Sequence, residues 1–340
     1  MRCSPFSGCT FEAVEEVAGE TQCLEETGVD ILDELASLVD KSLIRQADQG
    51  AGEPRLLMLE TIREYAEGRL EEDPEFSAAA RRAHATYFVD FIQHEWAQLT
   101  GADREAALKE IEADIENVQT AWRFWVAEGD LEPLRKLTDC LWLLYDARGW
   151  YHAMVDLTTD LLKVLASTPS TPERAQEEIM LQTSLARALM AIKGCTPEVE
   201  AAYTRALELC QRHGEVPQLF PVLRGLSSFY TYVGDFGKGA EMGEQILRLA
   251  EHNDDASMRV EGHLVLGYNL AFLSELQLGL DHLEKGIANY DPNQHRSGRF
   301  RFGNNPGVVC FTTSALFLWM LGFPDRALKR ATTRLPWPTG

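Results

Sequence analysis

Apolar residues between Leu181 and Leu335 recur at the three- and four-residue steps of amphipathic helices, and small residues interrupt them regularly. The interruptions are separated by 40, 40 and 48 residues. One helical pattern precedes each interruption and a second follows it, which predicts an internal repeat of helix pairs. The predicted turn residues are Gly194, Gly234, Ser274 and Gly322.

The inner spacing of these pairs resembles that of tetratricopeptide (TPR) repeats. The period exceeds the roughly 34 residues of a standard TPR, so we describe the units as TPR-like. Arrays of this kind bind other molecules and rarely carry chemistry of their own. The residues at the expected packing positions are Leu223, Leu226, Tyr230 and Phe236 around Gly234, Leu266, Gly267 and Leu270 before Ser274, and Ala315, Leu318 and Ala327 around Gly322.

The first seventy or so residues predict a different series of elements. Apolar residues at helical spacing alternate there with short strand-like runs, and Gly50, Gly52 and Pro54 favour a turn between the two strands. Helix, helix, hairpin and helix is the outline of a winged-helix domain. The predicted helices are Phe11–Val17, Ile31–Ser42 and Thr61–Glu71, and the predicted strands are Leu43–Gln46 and Arg55–Leu59.

Further helices are predicted between this module and the clearest repeats. Five aromatic residues cluster in this region, and they favour packing between helices over an aromatic ligand cage. The aromatic residues are Trp122, Trp125, Trp142, Tyr145 and Trp150. The predicted helices are Ser77–Leu99, Asp103–Glu128, Leu131–Arg148, Tyr151–Ala166 and Arg174–Lys193.

Several segments resemble the STAND-class signalling ATPases, in which a P-loop NTPase module precedes a winged helix. The winged-helix segment is matched by LASLVDKSLI and PRLLMLETIREYAEGRL, at Leu35–Ile44 and Pro54–Leu70. The resemblance implies a regulator whose arm senses a ligand while its ATPase switches. The further similar segments are Arg81–Tyr87, Ile111–Trp122, Tyr290–Val308 and Leu318–Leu328.

These patterns together predict a mainly all-α chain with two domains. Residues 1–73 form an N-terminally truncated winged-helix-like domain with a small β-hairpin, and residues 74–340 form a TPR-like α-solenoid. Both termini fall inside recognisable elements, so we expect a fragment whose last repeat exposes its packing face and self-associates.

The charge and the cysteine content limit which binding partners and which cellular compartment we expect for the protein. The net charge of −21 argues against nonspecific binding to nucleic acid or anionic membranes. Residues 1–73 hold 18 acidic and 6 basic side chains, whereas residues 292–340 hold 1 and 7. The seven scattered cysteines predict reduced, mostly buried thiols in a cytoplasmic protein. No run of the sequence is long and apolar enough for a membrane span, so no membrane partner is expected.

The sequence offers little that predicts catalysis. Gly237–Lys238–Gly239 lacks the leading glycine and the hydroxyl residue of a phosphate-binding loop. His94–Glu95 lacks the second histidine of a zinc helix. Runs such as Glu15–Glu16 and Glu71–Asp73 are typical of solvated faces. We therefore predict no enzyme activity, no catalytic residue, no metal and no cofactor.

One loop combines arginine with aromatic residues. In Asp291–Asn305, Phe300 and Phe302 alternate with basic residues, a pattern that can bind an anion, a phosphorylated group or an acidic peptide. The alternative is that the arginines cap helix ends and pair with neighbouring carboxylates. The candidate anion- or partner-binding residues are His295, Arg296, Arg299 and Arg301.

Two hypotheses of function follow. The first is a noncatalytic sensor or interaction arm of a bacterial STAND-type regulator, which binds a protein or small inducer on the array and contacts an upstream ATPase module if the chain is longer. The second is a DNA-binding transcriptional regulator that acts through the winged helix. The acidic winged-helix segment favours the first, and nucleic acid is not an expected partner.

Overall fold

The computed structural model describes residues 6–20, 31–47, 54–99, 104–214, 217–291 and 305–332. Most of these residues are helical, which confirms the mainly all-α fold class with a small hairpin near the N-terminus. Contacts divide the chain into two compact units, Met1–Ser167 and Thr168–Gly340. The predicted domain boundary between residues 73 and 74 stays a prediction.

The first unit contains a two-stranded antiparallel sheet, the wing, in which Ile44 pairs with Met58 and Ala47 pairs with Arg55. Cys9 adds a single bridge to Leu56 on the other side of the second strand. The helices are α1 (Phe11–Glu20), α2 (Ile31–Asp40), α3 (Glu60–Glu71), α4 (Pro74–Leu99), α5 (Arg104–Ala113), α6 (Ile115–Glu128), α7 (Leu131–Arg148) and α8 (Tyr151–Ala166), and the strands are β1 (Ile44–Ala47) and β2 (Arg55–Met58).

Helix α4 is the centre of this unit, because it contacts α1, α3, α5, α6 and α7. Its buried residues Phe88 and Ile92 lie one helical turn apart and face the shared core. Phe6 packs edge-on against Phe88 with ring centroids 6.1 Å apart, so the residues before α1 also join that core.

The single helix predicted over Asp103–Glu128 is wrong, since the chain breaks at Asp114. Asp114 has φ −109° and ψ 13°, outside the helical region, and it separates α5 from α6. The break holds the Asp114 carboxylate in a buried ion pair with Arg55 of the wing. The local preference for helix is therefore overridden at Asp114 by its tertiary contact with Arg55.

The second unit is a succession of helix pairs. Each helix contacts the next, and the first helices of successive pairs also contact one another. The elements are α9 (Pro172–Lys193), α10 (Pro197–His213), α11 (Leu219–Val233), α12 (Phe236–His252), α13 (Ala256–Phe272), α14 (Leu276–Ala288), α15 (Pro306–Met320) and α16 (Pro324–Thr332).

All four predicted turn residues have a positive φ, which confirms where the helix pairs turn. The φ values are 71° at Gly194, 84° at Gly234, 71° at Ser274 and 86° at Gly322. Glycine adopts this left-handed region without steric cost, whereas Ser274 holds it with a side chain. The regular spacing of small residues in the sequence therefore matches the regular spacing of residues with positive φ in the structure.

The predicted packing layers are largely confirmed. Leu223, Leu226 and Leu318 are all buried, whereas Tyr230 and Phe236 are half-buried. Gly267 permits the closest approach, because a Cβ built there would lie 2.8 Å from the carbonyl oxygen of Gly279. Helices α13 and α14 thus meet backbone to backbone at this pair.

The expectation of mostly buried thiols is confirmed for the described cysteines. Cys9, Cys140, Cys210 and Cys310 are buried and Cys195 is half-buried, all as free thiols. Within the described ranges, no helix combines the length and apolarity needed to cross a membrane.

Candidate interaction surface

The first helices of the last three described pairs expose large apolar residues at the same step of each repeat. Tyr232, Phe272 and Met320 each lie two residues before a turn residue, with exposed fractions of 74%, 49% and 55%. Equivalent positions of a stacked repeat lie in a row along one edge of the array. We call this surface the turn row and define it as Tyr232, Val233, Phe272, Leu273, Leu316, Trp319 and Met320.

Aromatic contacts hold Phe272 of the turn row in place. Phe236 stacks on Phe272 with ring centroids 4.9 Å apart, and Tyr268 lies 5.0 Å from the same ring. A ring held by two aromatic neighbours loses little conformational entropy when a partner covers it. A preorganised ring is therefore better suited to binding a partner than a loosely held side chain would be.

Polar contacts between α11 and α13 fix the spacing of the row. Arg224 Nε donates to Glu261 Oε2 at 2.8 Å, and the Thr231 hydroxyl donates to Asn269 Oδ1 at 2.9 Å. Both Glu261 and Asn269 are buried, so these bonds are shielded from water. Asn269 also donates to the Val265 carbonyl at 2.9 Å, which anchors it on its own helix.

The last described pair adds basic residues beside exposed apolar ones. Arg330 bonds both Glu284 oxygens at 3.1 and 2.6 Å, which ties α16 to α14. Arg326 stacks over Phe323 at 5.1 Å from the ring centroid, while Leu328 is 67% exposed. This part of the array therefore presents exposed apolar side chains beside Arg326, whereas the charge of Arg330 is paired with Glu284.

The predicted binding residues His295, Arg296, Arg299 and Arg301 lie outside the described residues, so that site stays a prediction. The two ends of their segment are joined, since Asn305 Nδ2 donates to the Tyr290 hydroxyl at 2.7 Å. Asn305 also caps α15 by accepting from the Val308 N–H at 3.2 Å. An asparagine does both at once, because its amide offers a donor and an acceptor.

Helix α2 of the winged helix carries acidic side chains. Helix α2 exposes Asp33, Glu34 and Asp40, and its sequence Ile31–Asp40 contains no lysine or arginine. Contact with phosphate needs cations, which the described residues of α2 itself do not supply.

The aromatic cluster of the first unit is packing. Trp122, Trp125 and Tyr145 are buried, and the Trp125 indole N–H donates to the Ala85 carbonyl at 3.3 Å. Trp150 is 38% exposed at the turn into α8, 6.0 Å from the Tyr145 ring. The three buried rings therefore contribute to packing between helices.

Comparison with known proteins supports the N-terminal module directly. Residues 4–71 match the family model described as a winged helix-turn-helix domain. The N-terminal module is therefore a winged helix, and its wing, formed by β1 and β2, lies inside the matched range.

Longer matches are found among mycobacterial regulators. The chain is 26% identical over 239 residues to proteins named "Putative HTH-type transcriptional regulator" in Mycobacterium tuberculosis and Mycobacterium bovis. The match covers 67% of this chain but spans only 26% of those relatives' length.

Solved structures with paired helices also match. The TPR-like repeats of a "putative kinesin light chain" from Podospora anserina give a TM-score of 0.46 at 16% identity, over 60% of this chain and 92% of that one. A STAND protein with a tetratricopeptide repeat sensor from Pyrococcus horikoshii gives 0.42 at 13% identity, over 96% of this chain and 54% of that one.

Proposed function

We propose that this chain is a noncatalytic interaction arm of a bacterial STAND-type signalling regulator that works in the cytoplasm. The turn row binds a protein partner or inducer, and the winged helix transmits that state to an ATPase module elsewhere in the parent protein. A bound inducer shifts the equilibrium only as far as it binds one arrangement more tightly than the other.

One observation carries the proposal: the repeats expose apolar side chains at equivalent positions, while α2 presents carboxylates. A row of large apolar residues on a monomer surface is typical of an interaction site. The motifs of the winged helix resemble STAND proteins, and the named relatives are much longer regulators, which fits an arm within a larger protein.

The test is site-specific photocrosslinking in cells of the source organism. Benzoylphenylalanine replaces Phe272 or Trp319 in the turn row and, as the matched control, Arg248 on the exposed face of α12. We expect one protein partner to be captured from both turn-row positions and not from position 248. Equal capture from all three positions would remove the turn row as the binding surface.

The alternative function is a DNA-binding regulator that acts through the winged helix. The names of the mycobacterial relatives favour it, whereas the charge of α2 opposes it. Fluorescence anisotropy with a mixed-sequence duplex at about 50 and 200 mM salt separates the two, because phosphate contacts weaken steeply with salt. Saturable, salt-sensitive binding would favour the alternative and count against the arm.

A further inference from the structure

A cleft within the first unit combines carboxylates with aromatic rings. Its volume is about 920 Å³, and its walls come from α1, α4, α5 and the break at Asp114. The size lies in the range of small-molecule sites. The carboxylates that line it are Glu12, Glu16, Asp90, Glu95, Glu110 and Asp114.

Helix α4 builds the floor of the cleft from one face. Tyr87, Phe91 and Glu95 follow one another at four-residue steps, so their side chains lie in a line along the helix. Tyr87 and Phe91 are half-exposed, and their rings are available to a molecule in the cleft. Aromatic faces beside carboxylates are the surroundings that organic cations prefer.

Glu95 is the decisive residue, because it is buried and incompletely bonded. Its exposed fraction is 6%, it lines the cleft, and its Oε2 atom is buried without a hydrogen-bond partner in the described structure. A buried carboxylate oxygen without a partner costs free energy unless a donor reaches it. A donor brought by a ligand would satisfy it.

The basic side chains that line the cleft are either paired with a carboxylate or exposed at its edge. Arg55 bonds Asp114 in a buried pair, so neither group is free for a ligand. Lys109 and His94 are the other basic residues that line the cleft, and both are exposed. Burial raises the pKa of Tyr87 to about 12, and the charges of Glu12, Asp114 and Glu16 add to that shift.

We propose that this cleft binds a small organic cation, with Glu95 accepting from its ammonium or guanidinium group and with Tyr87 and Phe91 packing against its carbon skeleton. A metal ion fits the described side chains less well, because they contain no group of three His, Cys, Asp or Glu residues placed to hold one. The inference does not depend on the proposed function of the array.

Isothermal titration of the full chain tests the site with three probes at matched ionic strength. Agmatine carries a guanidinium and an ammonium, choline carries a quaternary ammonium, and dimethylbutanol is the neutral carbon isostere of choline. We expect saturable binding of agmatine or choline and none of the neutral isostere. Absence of saturable binding by both cations up to millimolar concentration would overturn the proposal.

Two matched variants separate the site from general attraction to an acidic protein. Glu95→Gln removes the buried charge, and Glu75→Gln removes an exposed charge from the first turn of the same helix. We expect Glu95→Gln to weaken cation binding roughly tenfold or more and Glu75→Gln to change it less than about twofold. Equal weakening by the two variants would show binding by overall charge and sink the idea.

A third readout detects the proton linked to Glu95. Burial raises the pKa of Glu95, the charge of His94 opposes that shift, and Glu110 adds to it. Cys140 of α7 lies close enough to interact with Glu95, and burial, followed by the charges of Glu95 and Asp139, raises the pKa of Cys140 to about 12. A cation bound to Glu95 favours its ionised form, so binding releases protons as the pH approaches the Glu95 pKa. Titrations in buffers of different ionisation enthalpy should show that release in the native chain and not in Glu95→Gln.

Discussion

Arg55 of the wing and Asp114 of the helix break form a buried, bidentate ion pair, with nitrogen–oxygen distances of 2.7 and 2.5 Å. Arg55 also donates to the Gly8 carbonyl, and Asn117 Nδ2 donates to the same oxygen at 2.7 Å. The Ser7 N–H in turn donates to Asn117 Oδ1 at 2.8 Å. One hydrogen-bond network therefore joins the residues before α1, the wing and the start of α6.

Removing one member of this pair should be strongly destabilising. Asp114→Ala leaves the Arg55 guanidinium buried without its counter-ion, and we expect a loss of about 3–5 kcal/mol in the free energy of unfolding. Urea denaturation followed by tryptophan fluorescence measures it, since Trp122 and Trp125 lie in the core of the same unit.

The matched control is an exposed ion pair in the same unit. Arg69 and Glu72 are 45% and 58% exposed in their side chains, and Glu72→Ala should cost less than about 1 kcal/mol. Similar losses for Asp114→Ala and Glu72→Ala would mean that the buried network contributes nothing special to stability.

The helix break at Asp114 also shows where prediction from sequence stops. The residues around it keep a helical apolar pattern, and aspartate disfavours helix only weakly. What breaks the helix is a partner 59 residues away, Arg55. By contrast, the turns at Gly234 and Gly322 depend on local backbone conformation, which the residue type itself reveals.

The same distinction applies to the candidate sites. The repeat period was enough to find the pairs of helices, but the exposed fraction of Phe272 follows from how neighbouring helices pack. Glu95 stands beside His94 in the sequence, where the pair suggests only an incomplete zinc motif. Its burial in a cleft follows from the approach of α1 and α5 to α4, which no local pattern encodes.

Replacing glycine with alanine at the contact of α13 with α14 should destabilise the protein. A Cβ at Gly267 would lie 2.8 Å from the Gly279 carbonyl oxygen, and one at Gly279 would lie 2.6 Å from that of Gly267. We expect Gly267→Ala to lower the free energy of unfolding by about 1–3 kcal/mol, as overpacked sites do. Circular dichroism during thermal unfolding measures the change.

Gly68 supplies the control for that substitution. It lies in α3, and a Cβ there would meet nothing within 4 Å. Gly68→Ala should therefore stabilise its helix by about 0.5–1 kcal/mol, because alanine has the higher helix propensity. A gain at Gly267 as well would show that the two helices separate easily.

Replacing Ser274 with glycine should stabilise the array. Its φ of 71° places a side chain in the left-handed region, which costs roughly 1 kcal/mol that glycine avoids. Ser274→Gly is expected to raise the midpoint of thermal unfolding of the array, and Gly234→Ala at the equivalent turn is expected to lower it. A loss of stability in Ser274→Gly would indicate that the serine side chain makes a contact worth more than the strain.

Acidification should destabilise both units through one buried histidine, His84, and one half-buried histidine, His263. Burial lowers the pKa of His84 to about 4, and burial together with the neighbouring His282 lowers that of His263 to about 4. His84 lies against the rings of Phe6 and Phe88, with centroids 4.8 Å away in both cases. The Nδ1 atoms of His263 and His282 lie 3.1 Å apart, where two positive charges would repel.

The sign of the effect follows from where the protons bind. An unfolded histidine has a pKa of about 6.5 and takes up a proton before the folded one does. The stability from each neutral histidine is therefore complete above pH 6.5 or so and declines as the pH falls towards about 4, by at most roughly 1.4 kcal/mol per pH unit for each group.

Urea denaturation between pH 8 and pH 4 tests this with His84→Leu, followed by tryptophan fluorescence. At pH 8 the histidine is neutral in both states, so the difference between variant and native chain reports packing alone. Below pH 6 the native chain should lose stability faster than the variant, because the variant has no proton to take up at this position. Parallel curves over the whole range would show that His84 is protonated equally in the folded and unfolded states, contrary to the burial that the structure shows.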